Sequence, residues 1–237
     1  MFAQLALRDV LIVGHLVVMA VWFGTDIATF SLSRRVVDAD LPVESRLVLA
    51  KAMVGIEIAA RLCLPTMLAL GLSLSIEGGY LSFGDSPMTD GTRSALLFVI
   101  WLVVAAWVVL VWTIHRTGGE LAGSLAKGDL MFRTLVCLAL WISGLASLAS
   151  HDGPFIGNWL IAKVLLFALI MTCGIVIRFL LTPFSAAFGQ IAASGSSPDQ
   201  EAILVRAIRR AQPLVGIIWL SILCSIALGA LQVTLLA

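Results

Sequence analysis

The sequence predicts an all-α, polytopic membrane bundle: six transmembrane helices in three hairpins, forming a single integral membrane domain over residues 1–237. Three observations carry this expectation. The chain is 60% hydrophobic and only 12% charged, a balance foreign to soluble domains. Its apolar residues fall into six runs of spanning length, and its basic residues gather in alternate loops.

The runs are Val10–Ser31, Ala52–Ile76, Ala95–Ile114, Phe132–Ser150, Trp159–Leu181 and Pro213–Leu236. Each holds roughly 20 residues, the length that an α-helix needs to cross about 30 Å of hydrocarbon. The first is read as a mature helix, because it exceeds a signal h-region and is followed by SLSRR instead of a small-residue cleavage site.

Orientation follows from Lys and Arg. Arg34, Arg35, Arg46 and Lys51, then Arg116, Lys127 and Arg133, then Arg178, Arg206, Arg209 and Arg210 flank the first, third and fifth loops. Arg8 and Arg93 lie on the other side, so both termini are expected outside the cytoplasm. In a bacterial inner membrane, the expected location, outside means periplasm. A net charge of +1 without a basic patch excludes nucleic acid as a partner. Cys63, Cys137, Cys173 and Cys224 stand singly in apolar runs and read as small hydrophobes, not as a disulfide framework.

The cytoplasmic loops carry helix signals. Ser197 suits an N-cap with Pro198 at the first helical position and Gln200 three residues on, which predicts an interfacial helix leading into the sixth span. Asp40, Pro42 and Glu44 repeat this pattern before the second span, so the two loops read as versions of one unit. The outer loop at residues 77–93, rich in Gly, Ser and Asp, reads as an irregular acidic cap. RTGGELAGSLAKGD lacks the Gly-Lys-Ser/Thr ending of a phosphate-binding loop.

The first span is chemically marked. His15, Met19, Trp22 and Asp26 recur at i, i+4, i+7 and i+11, one stripe of a helix that must face protein or a cofactor. LIVGH at residues 11–15 and WLIAK at 159–163 place His15 and Lys163 at matching outer depths, as parallel repeats would. His15, His151 and Lys163 therefore form a candidate outer layer. Imidazole is an axial ligand for haem b, and Met19 beneath it offers a thioether for copper(I), with His15 as the metal ligand in either case. His115 and His151 read more simply as interfacial and turn residues, Met19 and Trp22 as packing, and Lys163 as a snorkelling side chain. Nearer the cytoplasm, Asp26, Glu57 and Arg61 form an ion network, either pinning the first two spans together or offering a proton path.

These residues resemble the HemJ-type protoporphyrinogen oxidase family and, more loosely, the CopD copper-resistance membrane family. The likeness rests on His15 with Trp22, on Arg61 before Pro65-Thr66-Met67, on Trp159-Leu160-Ile161-Ala162-Lys163, and on Arg209, Arg210 and Pro213. The resemblance implies a membrane bundle binding haem b, with His15, Arg61 and Lys163 in the functional positions. Ile161 stands where the family pattern has a second histidine, and spans three and four form an additional hairpin. That leaves single-histidine haem binding, or a scaffold without cofactor, as what the likeness implies.

The expected function is thus a haem-associated redox membrane protein. In it His15 ligates iron, Met19 and Trp22 line the cofactor, and Lys163 and Arg61 contact propionates or substrate carboxylates. Copper transport or tolerance through His15 and Met19 is the alternative; a non-catalytic structural or assembly subunit is the third. Its partners would be the lipid bilayer and a membrane redox protein, and a homo-oligomer is compatible with the sequence.

Overall fold

The structure, a computed structural model, describes residues 6–82, 88–150 and 153–235. His151, residues 83–87 of the irregular outer loop and the end of the sixth apolar run lie outside the described residues. Among the described residues seven helices follow in order: α1 (Leu7–Val36), α2 (Val43–Glu77), α3 (Asp90–Arg116), α4 (Gly119–Ser150), α5 (Asn158–Leu180), α6 (Thr182–Ser194) and α7 (Pro198–Leu235). Five stretches are long and apolar enough to cross a membrane: Leu7–Val36, Asp90–Arg116, Gly119–Ala149, Asn158–Ser194 and Pro198–Leu231. The chain is therefore an integral membrane protein. α2 is not one of the five; its second half, with Cys63, Met67, Ala69, Leu70, Ser73 and Ile76 buried, is enclosed by the others.

Local sequence sets the helix ends. The Asp9 carboxylate accepts from the Ala6 N–H at 3.3 Å, opening α1. Thr89 caps α3 by accepting from the Thr92 N–H at 3.2 Å, and Ser197 caps α7 by accepting from the Gln200 N–H at 3.4 Å. Gly157 before α5 and Gly195 after α6 have φ of +93° and +89°, a conformation that favours glycine. α2 and α7 each contain a proline, Pro65 and Pro213, yet run through. The proline deprives one carbonyl four residues earlier, that of Arg61 or Arg209, of its helical donor. The expected interfacial helix before the sixth span is consequently the first part of α7 itself.

The helices pack in a ring, each against the next in sequence, with α5 meeting α7 and α7 returning to α1. Two cores fill it. The first joins α2, α3, α4 and α5 through Ile76, Trp107, Val111, Cys137, Leu140 and Ile161. The second joins α1, α2, α5 and α7 through Trp22, Cys63, Met67, Ile170, Cys173 and Ile218. α2 and α5 belong to both. α1 and α2 approach closely because Gly14 faces Leu70 and Gly71 faces His15.

Each end of the ring is fastened. At one end, the loop after α2 and the loop before α5 pair as a short antiparallel bridge, Leu81 opposite Phe155. The Ser82 N–H donates to the Pro154 carbonyl and the Ile156 N–H to the Tyr80 carbonyl, both at 2.9 Å. At the other end, Val36, Phe184, Ile191, Leu204 and Ile208 form a third cluster from α1, α6 and α7. Inside it lies Arg46, 1% exposed, donating to both Glu201 oxygens at 2.7 and 2.9 Å and to the Val36 carbonyl at 2.7 Å. Arg46 is the fourth residue of α2 and Glu201 the fourth of α7, so the two similar loop units bind each other.

A buried pair of this kind is costly to break from one side. Arg46→Ala removes the donor to the Val36 carbonyl and leaves Glu201 with the Ser196 hydroxyl alone, and should lower stability by about 3–5 kcal/mol. Arg46→Met with Glu201→Leu should recover most of it, as read from unfolding midpoints in detergent micelles.

Candidate functional site

The outer layer forms where α1, α2, α5 and α7 converge near the bridged loops. His15 faces α2 across Gly71, where a Cβ would stand 3.8 Å from its Cε1. The small residue there admits the imidazole between the helices. Lys163, on the second turn of α5, lies close enough for its charge to act on His15. Its Nζ sits 5.7 Å from the Trp159 ring centroid and against Gly229 of α7, where a Cβ would come within 3.0 Å. Tyr80 meets Trp159 edge to face at 5.1 Å, so the bridged loop closes this end of the layer.

Polar capacity in this layer is unspent. His15 Nδ1 and Trp159 Nε1 are buried and have no hydrogen-bond partner among the described residues. Nor does any carboxylate pair with Lys163 among the described residues. Buried polar atoms are ordinarily satisfied, so an imidazole nitrogen and an indole N–H left open beside an unpaired lysine set this layer apart from the rest of the bundle. Together they offer a Lewis base and two donors suited to an anion.

The rest of the marked stripe on α1 behaves differently. Met19 and Trp22 descend from His15 into the second core, beside Cys63, Met67 and Cys173. Trp22 packs edge to face on Phe167 at 6.0 Å. Asp26, lower still, accepts from Trp219 Nε1 at 2.7 Å, and the Trp219 ring rests against Phe23 and Phe30. Arg61 binds Glu57 through Nε at 3.0 Å and a terminal nitrogen at 2.7 Å. The inner three are thus divided between an Asp26–Trp219 bond joining α1 to α7 and a Glu57–Arg61 pair along α2. Glu57 remains near enough to act electrostatically on Asp26. Arg61 precedes Gly71 by ten residues, about 15 Å along the helix, so it belongs to a layer apart from His15.

No family model, curated protein or solved structure matches the chain. The site is therefore read from its own residues. Among the described residues, no three His, Cys, Asp or Glu side chains gather in a metal-binding group.

Two polar centres escape the sequence reading. One is Arg46 with Glu201. The other is Asp129 on α4, buried, which accepts from Trp107 Nε1 at 2.9 Å, from Arg133 Nε at 2.9 Å and from Arg178 at 3.2 Å. It binds α3, α4 and α5 together, and Arg178 also donates to the Ala126 carbonyl. The spacing Asp129–Arg133, i to i+4, is the same signal as Glu57–Arg61 and was available in the sequence.

The Asp26 contact can be probed directly. Trp219→Phe keeps an aromatic ring but removes the N–H, leaving the carboxyl short of a donor. The expected loss is about 1–3 kcal/mol. Asp26→Leu in the Trp219→Phe background should restore part of it, measured as thermal midpoints of the purified protein.

Proposed function

We propose that this chain is a haem-associated redox protein of the bacterial inner membrane, with the outer layer as its cofactor site. The observation that carries the reading is the open imidazole: His15 Nδ1 is buried within the bundle and unpartnered among the described residues, with the Lys163 ammonium beside it. The donor set fits such a group, since one neutral imidazole suits an axial position and an ammonium with an indole N–H suits a carboxylate. Bound haem would supply one-electron chemistry. His15 would hold the iron, and Lys163 and Trp159 would meet a propionate or a substrate carboxylate. Met19 and Trp22 would wall the apolar side, and the Glu57–Arg61 pair would act as a structural element below.

The four helices on which the HemJ-type likeness rests, α1, α2, α5 and α7, are those that enclose the second core, and α3 and α4 pack outside it. In this reading α2 also crosses the membrane and brings the five spans to six, because it returns from α1 to the bridged end of the ring. Both termini then lie on the periplasmic side, opposite the end bearing Arg46. A reporter fused to the C-terminus should be active in the periplasm and silent in the cytoplasm; the reverse result overturns this orientation.

The test of function is the absorption spectrum of the purified protein from haem-replete cells, oxidised and dithionite-reduced. A reduced b-type spectrum is expected, with His15→Ala lowering haem content at least about tenfold, as loss of an iron ligand should. A wild-type protein free of porphyrin removes the reading. A second reading, copper handling, draws on the sulfur-rich surroundings of Met19, which shares its core with Cys63, Met67 and Cys173. Copper(I) stoichiometry that falls in both His15→Ala and Met19→Leu would favour it, whereas stoichiometry unchanged by either would exclude it.

A further inference from the structure

Away from the outer layer, an open groove of about 380 Å³ lies at the end of the ring that holds Arg46. It is lined by Leu47, Ala50, Lys51, Val54 and Gly55 of α2, by His115 of α3 and by Phe188 of α6. It is a shallow trough open along its length, not an enclosed cavity.

The construction of this groove is specific. Leu47, Lys51, Val54 and Gly55 recur at i, i+4, i+7 and i+8, a single stripe of α2 that shares the groove with His115 of α3 and Phe188 of α6. The floor is apolar, and no acidic residue lines it. Gly55 opens the wall, since a Cβ built there meets nothing within 4 Å. At the rim stand an exposed ammonium and an exposed imidazole. Lys51 has no ion-pair partner among the described residues, and the next residue after His115, Arg116, lies over the Trp112 ring. An apolar trough about two helical turns long, opening on a basic rim at the level where spans end, has the polarity of a phospholipid and the sign opposite to an anionic headgroup.

We propose that this groove binds an anionic phospholipid of the leaflet at the basic end. One acyl chain lies along the Leu47–Gly55 stripe against Phe188, and the Lys51 ammonium with the His115 imidazole meets the phosphate. The site is separate from the outer layer and does not rest on the haem reading.

Native mass spectrometry of the full chain tests this directly. The protein is offered equal amounts of phosphatidylglycerol and phosphatidylcholine with matched acyl chains. Phosphatidylglycerol should be retained over phosphatidylcholine by about fivefold, the effect of one basic group near a headgroup. Lys51→Gln with His115→Gln should bring the ratio close to one. Gly55→Leu fills the trough without touching the rim and should reduce retention of both lipids. Equal retention of the two lipids by the wild-type protein overturns the proposal, as does retention indifferent to all three substitutions. A lipid-free dimer abolished by Gly55→Leu also overturns it, assigning the groove to a second copy of the chain. Should the double variant fail to fold, the wild-type competition and Gly55→Leu decide the matter.

Discussion

In hydrocarbon, apolar side chains gain little by choosing one another over lipid, so van der Waals fit and a few polar contacts decide which helices become neighbours. Among the described residues those contacts are sparse and well placed. Asp26 with Trp219 closes α1 onto α7, and Asp129 gathers Trp107, Arg133 and Arg178 from three successive helices. Arg46 ties the turn of the first hairpin to the start of α7. The closed ring is thus set by partners that each helix finds on one neighbour and not on another, while the two apolar cores fill the space that results.

Sharing α2 and α5 between the cores has a structural effect on the site. His15 and Lys163 come from α1 and α5; α2 presents Gly71 to His15, and α7 presents Gly229 to Lys163. The same α5 is held on its other side by α4, where Trp141 Nε1 donates to Thr172 at 3.1 Å and Cys137 lies 3.3 Å from that hydroxyl. The outer hairpin therefore positions the site without contributing to its described side chains.

Much of this architecture is legible in the sequence because apolar length and turn chemistry are local. Apolar runs such as Ala95–Ile114 and Trp159–Leu181 lie within or almost coincide with helices, and the Ser197 cap is where its residue type predicts. What stayed hidden depends on distance along the chain: Asp26 finds its donor 193 residues away, and Arg46 its carboxylate 155 residues away. Basic residues that read as topology signals spend their charge inside the protein, Arg46 on the half-buried Glu201 and Arg133 and Arg178 on the buried Asp129. α6 is hard to see in the sequence because it is short and follows an apolar span directly, although Pro183 near its start is a fair helix signal.

The paired loops at the bridged end of the ring act as more than a cover. The Tyr80–Ile156 and Ser82–Pro154 bonds are backbone contacts, and the Phe155 N–H is further anchored on Ser147 at 3.1 Å. They fix where α5 begins relative to the end of α2. Only two residues separate Phe155 from the first residue of α5, so the chain has no slack there. One residue inserted in that connection would advance the helix by about 1.5 Å and turn it by about 100°. Such a turn would carry Lys163 out of register with His15 while leaving every residue of the layer in place in the sequence. The short connection works as a gauge, and the alignment of imidazole and ammonium is held by chain length as much as by the side chains themselves.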